Sequence, residues 1–498
     1  FTNKAAKEMK SRLKKELGPI ADNIQAGTFH AFCLRVMTQL PKSFGIKGLT
    51  VIDADDQKSL MTIARSRHVK KLDKQSALEY PSAKELIAYY SYSRNTCQTP
   101  QQYLQNHTDF TCDDIEQYCR TMMEYQKLKK QRGYLDFDDL LGLYNNALAS
   151  KKNLRADIAK LYDEVLVDEM QDTNPLQFAI LKHFSGEGTR LFCVGDPAQS
   201  IYKFRGAEFK HIHRFTTKFP NSVVLPLTEN YRSNQEILDV ANWLLTRSPY
   251  EYGNDLIAYR GKADRLPEVH DFENKFEEAE WVADTILERH EKEIPFRDMM
   301  VLVRSGFDAR EFEAEFLKRD IPYHYIGGQK ITEAAHVRDV LSLLRIVRNP
   351  MDELAWVRFL KLWKGIGDKT AAKVFAALLS EQGTDPRLVL EKSLKTAHPA
   401  VVAFSKTAEV GSKVNLCVST AVSALQPVLE GRYDKWDKRQ KDLDLLIKVS
   451  ERYSSLSDLI DDFTLEPMST KSVESLEVDD AVTLITVHSA KGTEAKIC

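Results

Sequence analysis

The chain has 498 residues, too many for one hydrophobic core, and its 43% hydrophobic and 29% charged residues exclude a disordered or fibrous class. Its 70 basic and 72 acidic residues nearly cancel, so any nucleic-acid surface must be a local basic track in a near-neutral molecule. No apolar run approaches a membrane span, and the first residues lack a signal-peptide core, so no membrane partner is expected.

In chain order, residues from about Asp53 to Arg132 read as helical and polar, rich in Gln, Lys and Tyr, with no buried-strand signature. "EVLVDEMQD" then predicts a short strand, Val165 to Val167, that ends on Asp168 and Glu169. "RLFCVGDPAQS" predicts a second strand ending at Gly195 and Asp196, and "SVVLPLTENYRSN" a third. "FEEAEWVADTILERH" places Phe276, Ala279, Val282 and Ile286 at helical spacing ahead of the strand "MMVLVRS". "FDAREFEAEFLKRD" does the same after it with Ala309, Phe312 and Phe316. From about Ile331 to Glu477 the pattern is helical again, punctuated at "RNPMDE" and "LWKGIGDKT", and "AVTLITVHSAKG" supplies a last strand. Continuous apolar strands alternating with helices predict parallel sheets covered on both faces, hence two α/β domains, each carrying a helical insertion. The seven cysteines are scattered without a C-x-x-C pair. They predict neither a disulfide framework nor a zinc ribbon, but idle thiols in a reducing cytosol.

The chemistry concentrates where strands end. Asp168 and Glu169 stand beyond the carboxyl end of a strand, where α/β proteins hold Mg²⁺ and nucleotides; a carboxylate for the metal and one for water are the minimum for phosphoryl transfer. Without that setting, a lone Asp-Glu pair is a helix cap. Gln199 offers an amide that can sense a terminal phosphate. Tyr202 and Phe204 alternate with Lys203 and Arg205, which suits base stacking along a single strand or, equally, two core rings. Arg232 could reach a γ-phosphate and Tyr231 could stack on a base; the bland alternative is a capped helix start with Arg232 in water. The usual phosphate cradle, G-x-x-x-x-G-K-[ST], occurs nowhere in the 498 residues.

Six stretches together resemble, in order, the numbered motifs of the UvrD/Rep/PcrA group of superfamily 1 DNA helicases. "FTNKAAKEMKSRL" and "GTFHAFCLRV" resemble motifs Ia and Ib, "VDEMQDTN" motif II, "VGDPAQSIYKFRGAE" motif III, "TENYRSN" motif IV and "TVHSAKGTE" motif V. "LDFDDLL" resembles the helix where the first domain resumes. The resemblance implies two RecA-like domains, of the phosphate-loop NTPase type, with ATP between them. Their first domain would span residues 1–52 and 133–227, with an insertion at 53–132. The second would span 228–330 and 478–498, with an insertion at 331–477.

It further implies that Asp168 holds Mg²⁺, Glu169 activates water, and Gln199 and Arg232 contact the γ-phosphate. Tyr231 would stack on adenine, with Glu494 near the ribose and Gln171 beside the nucleotide. Phe1, Tyr202 and Phe204 would stack on bases, with Asn3, His30, Arg205 and His488 along the strand. His30 and His488, taken alone, would fit structural roles as well. "KLWKGIGDKT" resembles a glycine turn that meets duplex DNA, through Lys364, Gly365 and Gly367. Lys364 replaces the usual Arg, Phe204 a commoner Trp, and Thr493 and Ala495 larger apolar residues. The missing phosphate loop and motif VI are expected upstream of Phe1 and beyond Cys498, as in an internal portion of a longer protein.

The expected activity is that of an ATP-dependent 3′→5′ helicase or translocase on single-stranded DNA and its junctions with duplex. It would be cytoplasmic, monomeric or weakly dimeric, with protein partners in repair, replication or defence. A motor of a helicase–nuclease or anti-phage assembly, and a DNA-binding remnant without hydrolysis, are the alternatives.

Overall fold

Most of the short apolar runs bounded by polar residues become parallel strands here, but they are not covered on both faces as expected: Leu166, Phe192 and Leu302 stay exposed on theirs. The structure is a computed structural model. It describes residues 3–46, 49–70, 72–202, 206, 212, 215–250, 252, 255–326, 334–381, 383–410, 413–434, 436–451, 453–465 and 480–498. Among these residues the strands are β1 (Thr50–Val51), β2 (Tyr134–Leu135), β3 (Glu164–Val167), β4 (Arg190–Cys193), β5 (Glu229–Asn230), β6 (Ile257–Ala258), β7 (Met300–Val303), β8 (Tyr323–Ile326) and β9 (Val482–Thr486). They form small sheets, β1-β2, β3-β4, β5-β6 and β7-β9-β8, and every pairing is parallel. The molecule is thus mixed α/β, with the strand-and-helix alternation of RecA-like domains.

Two stretches are helical throughout and carry their own cores. In the stretch of chain that joins β1 to β2, Leu60, Leu86, Tyr90, Tyr125 and Leu128 pack together. Trp356, Phe359, Phe404, Val418 and Leu425 pack between β8 and β9. Helix starts follow the chemistry of side-chain oxygens: Ser82, Thr99, Thr111 and Asp136 each close a capping box over the first turn. No helix among the described residues is long and apolar enough to cross a membrane.

Two further expectations are corrected. "SVVLPL" is not a strand: among the described residues no neighbour pairs with 223–227, and Val223, Val224, Leu225 and Leu227 are exposed. An apolar run needs a ladder partner to become a strand. Phe276 does not join the buried stripe of its helix, Lys275–Glu291, whose Ala279 and Ile286 are buried. It sits in the first turn, ahead of the packed face.

The two halves meet at a seam near the ends of the two helical stretches. Arg345, on the helix Ala335–Arg348, pairs with Asp56 and donates from Nε to Asp352 Oδ2 at 2.9 Å. The Tyr134 hydroxyl donates to Asp352 Oδ1 at 3.0 Å and accepts from the Leu354 amide at 2.9 Å. Arg338 donates to Asp53 at 2.6 Å, and Arg132 to Glu353 at 3.0 Å. Burial first, then the charges of Asp53 and Asp352, push the Asp56 carboxyl up to about 7 against the pull of Arg345.

Candidate functional site

β3 and β4 run side by side, Val167 opposite Cys193, so their exits open onto the same edge. The ladder continues past them: the Val194 amide donates to Val167 O at 2.8 Å and the Met170 amide to Val194 O at 2.9 Å. Gly195 permits this closeness, because a Cβ there would lie 2.6 Å from Gln171 Oε1. The fully buried Gln171 links the two exits, accepting from the Asp196 amide at 3.0 Å and donating to Glu169 Oε2 at 2.6 Å. Asp168 Oδ1 accepts from the Glu169 amide at 2.8 Å, and Gln199 donates to Asp196 Oδ2 at 2.8 Å. Glu169 itself has φ 53°, in the left-handed region.

The second half reaches this edge through the segment after β9. Lys491 pairs with the buried Asp172, lies 3.1 Å from Glu169 Oε2 and donates to Gln199 O at 2.9 Å. Burial pushes the Asp172 carboxyl up, with Lys491 opposing. Three residues on, Glu494 Oε2 accepts from Arg232 Nε at 2.8 Å. Arg232 is placed by Asn230, whose side-chain oxygen accepts from the amides of Arg232 and Ser233 at 3.0 and 2.8 Å. Asn234 begins the following helix without a side-chain cap. Tyr231 is exposed, its ring tilted against Tyr259 at 4.6 Å.

Asp168, Glu169, Gln171 and Gln199 therefore gather at one strand edge, and Lys491 and Glu494, three residues apart after β9, link that edge to Arg232 along the expected cleft. The expected strand-side residues are less open. Tyr202 is only 5% exposed, and its hydroxyl donates to His488 O at 2.7 Å, with the Lys491 ammonium 5.7 Å from its ring. Of the two readings of Tyr202, this burial matches the core ring: its phenol is satisfied by a backbone carbonyl across the halves. His30 sets its ring edge-on to Phe137 at 6.1 Å, and His488 Nδ1 lies 3.5 Å from Arg304. Phe1, Phe204 and Arg205 lie outside the described residues, and of Asn3 only the backbone, in the helix Asn3–Leu17, is described. Lys364 and Gly365 are exposed in the second insertion, outside this cluster; Gly365 has φ +90°, and Gly367 precedes the helix Asp368–Ser380.

Sequence reasoning missed Lys491 and the depth of Asp172. The signal was present, since "SAKG" follows β9 just as "DEMQD" follows β3, and polar residues beyond strand ends are where sites form.

The carboxylates on one side and the guanidinium on the other fit a magnesium–triphosphate, and among the described residues Asp172 Oδ1 is buried with no hydrogen-bond donor. The comparisons agree with that chemistry. The UvrD/REP helicase N-terminal domain matches residues 1–220, and the UvrD-like helicase C-terminal domain matches residues 225–391. The ATP-dependent DNA helicase PcrA of Staphylococcus epidermidis is 27% identical over 517 residues, covering 100% of this chain and 69% of that protein. PcrA of Staphylococcus aureus is 28% identical over 525 residues, with the same coverage.

Proposed function

The chain belongs to the UvrD/PcrA-like superfamily 1 helicases, and on that premise we propose that it is the core of an ATP-driven motor moving 3′→5′ along single-stranded DNA. The family brings nucleotide use and a DNA substrate. The observation that carries the reading is the cleft itself: Lys491 and Glu494 from the segment after β9 meet Glu169, Asp172, Gln199 and Arg232.

Bound ATP with Mg²⁺ supplies the phosphoryl group whose hydrolysis drives the cycle. Asp168 would hold the metal and Glu169 would orient water, its carboxylate kept in place by the Gln171 amide. Gln199 and Arg232 would face the terminal phosphate, Arg232 leaving Glu494 to do so. Tyr231 would stack on the base. His30, His488 and the segment around Tyr202 would line the DNA strand, and the Lys364–Gly367 turn would meet duplex. We place the motor in the cytoplasm, as a monomer or weak dimer, built of two α/β domains with insertions at 53–132 and 331–477.

Glu169→Gln is the test. ATP and DNA binding should persist while DNA-stimulated turnover falls by about 10²–10⁴, because an amide orients water poorly and accepts no proton. Turnover within a few-fold of the parent would remove Glu169 from this role. Unwinding of 3′-tailed but not 5′-tailed duplexes by the parent tests the direction.

A further inference from the structure

The cleft has an attachment that the reading above leaves unused. Asn95 is the last residue of the helix Ala83–Asn95, in the first insertion. Its side-chain Nδ2 donates to Asp138 Oδ1 at 3.1 Å, and its Oδ1 accepts from Asn174 Nδ2 at 3.0 Å. An ionised carboxylate only accepts, so Asp138 fixes which way the amide points and leaves its oxygen facing Asn174. Asp138 is itself buried and accepts from the Ser91 hydroxyl. Asn174 is buried two residues beyond Asp172. There it caps the helix Pro175–Gly186, its Oδ1 accepting from the Gln177 amide at 2.8 Å. One amide thus joins the helix end, the first domain and the turn that carries Asp168 to Asp172.

The same helix end also touches the second exit. Gly206, beyond β4, has φ +81°, and a Cβ on it would stand 3.5 Å from both Asn95 Cβ and Thr96 Cγ2. Asn174, beyond β3, and Gly206, beyond β4, therefore both approach the same helix end of the insertion.

We infer that Asn95 is a positioning residue that ties the water-orienting turn of the cleft to the first insertion, so that strain on the insertion reaches Glu169 through Asn174. This rests on the motor reading above. It touches neither nucleotide nor reacting atoms, so its removal should act on turnover rather than on ATP binding.

The test uses Asn95→Ala and Asn174→Asp in the full chain. Asn174→Asp keeps the capping oxygen, so the helix survives, and replaces the donor to Asn95 with a charged acceptor. In each, DNA-stimulated kcat should fall about tenfold, as for one buried hydrogen bond removed from a catalytic turn, with KM for ATP within about twofold. Duplex unwound per ATP should fall as well, which a loss of stability alone would not produce. The double variant should be no worse than either single one. Additive losses, or an unchanged kcat and coupling ratio in both variants, would overturn the tie. Hydrogen exchange separates this inference from the motor reading. The amides of 169–174 should exchange faster in Asn95→Ala whether or not the parent hydrolyses ATP. A parent without DNA-stimulated hydrolysis sinks the motor reading, whereas unchanged exchange sinks the tie.

Discussion

At the roots of the two insertions the halves are joined by charges that water barely reaches. Across the front of the cleft, at Arg232 and Glu494, they are joined by charges that water mostly surrounds. Asp352 is fully buried, and the side chains of Arg345 and Asp56 are 13% and 16% exposed. Those of Arg232 and Glu494 are 57% and 67% exposed. A buried pair resists separation because either partner left alone is an uncompensated charge in a poor solvent. An exposed pair exchanges its partner for water or another ion at little cost. The seam therefore resists separation of the halves, while Arg232 is a guanidinium that can change partners. Lys491 stands between these extremes, since its carboxylate Asp172 is fully buried but its other neighbour, Glu169, is not.

The largest effect on stability should come from the seam. Arg345→Ala leaves Asp56 and Asp352 facing each other without their cation. Denaturant unfolding should show a loss of about 3–5 kcal/mol. A loss below about 1 kcal/mol would put the seam in the same class as the cleft and end the contrast.

A more gradual effect should follow pH. The Asp56 carboxyl titrates near 3.8 in the unfolded chain and near 7 when folded. Between those values the folded form holds the extra proton, so this residue's contribution to stability falls as pH rises through the window and is level above it. The slope is at most about 1.4 kcal/mol per pH unit for one proton. Asp56→Asn should remove that part of the slope. Unfolding curves of parent and variant at several pH values would decide, and parallel slopes would mean that Asp56 is ionised in the seam throughout.

The smallest effect on stability should be at Arg232. Its exposed pair with Glu494 predicts a change of about 0–1 kcal/mol for Arg232→Ala, shrinking further in salt. Under the proposed role, the same substitution should lower turnover by about 10³–10⁵. Such a division, folding intact and hydrolysis lost, would sharpen the comparison. A large stability loss would show that Arg232 belongs to the frame.

The strands around the cleft were legible because buried parallel strands are written as unbroken apolar runs. Val165–Val167, "RLFC", "MVLV" and "VTLIT" all became strands, and each ends on polar residues. The same rule failed at 223–227, since an apolar run records the wish for two covered faces and not the presence of a neighbour. Motif order led to the gathering of Asp168, Glu169, Gln199, Arg232 and Glu494, which are spread over more than half the chain. Tyr202 stayed between two readings because an aromatic beside cations reads alike whether its hydroxyl finds a carbonyl or its face finds a base. Asn95, Arg345 and Asp352 were invisible. Each works through a partner far away in sequence, and nothing in its own neighbourhood distinguishes it from a solvated polar residue.

The left-handed backbone at Glu169 sets the interests of the fold and of the site against each other. A side chain in that conformation costs on the order of 1–2 kcal/mol that glycine would not incur. Selection for heat resistance alone would therefore drift toward Gly at this position and discard the carboxylate. Under the proposed role a glutamate is kept there by its work and not by its comfort, so among tolerated substitutions this position should separate variants that merely fold from variants that turn over.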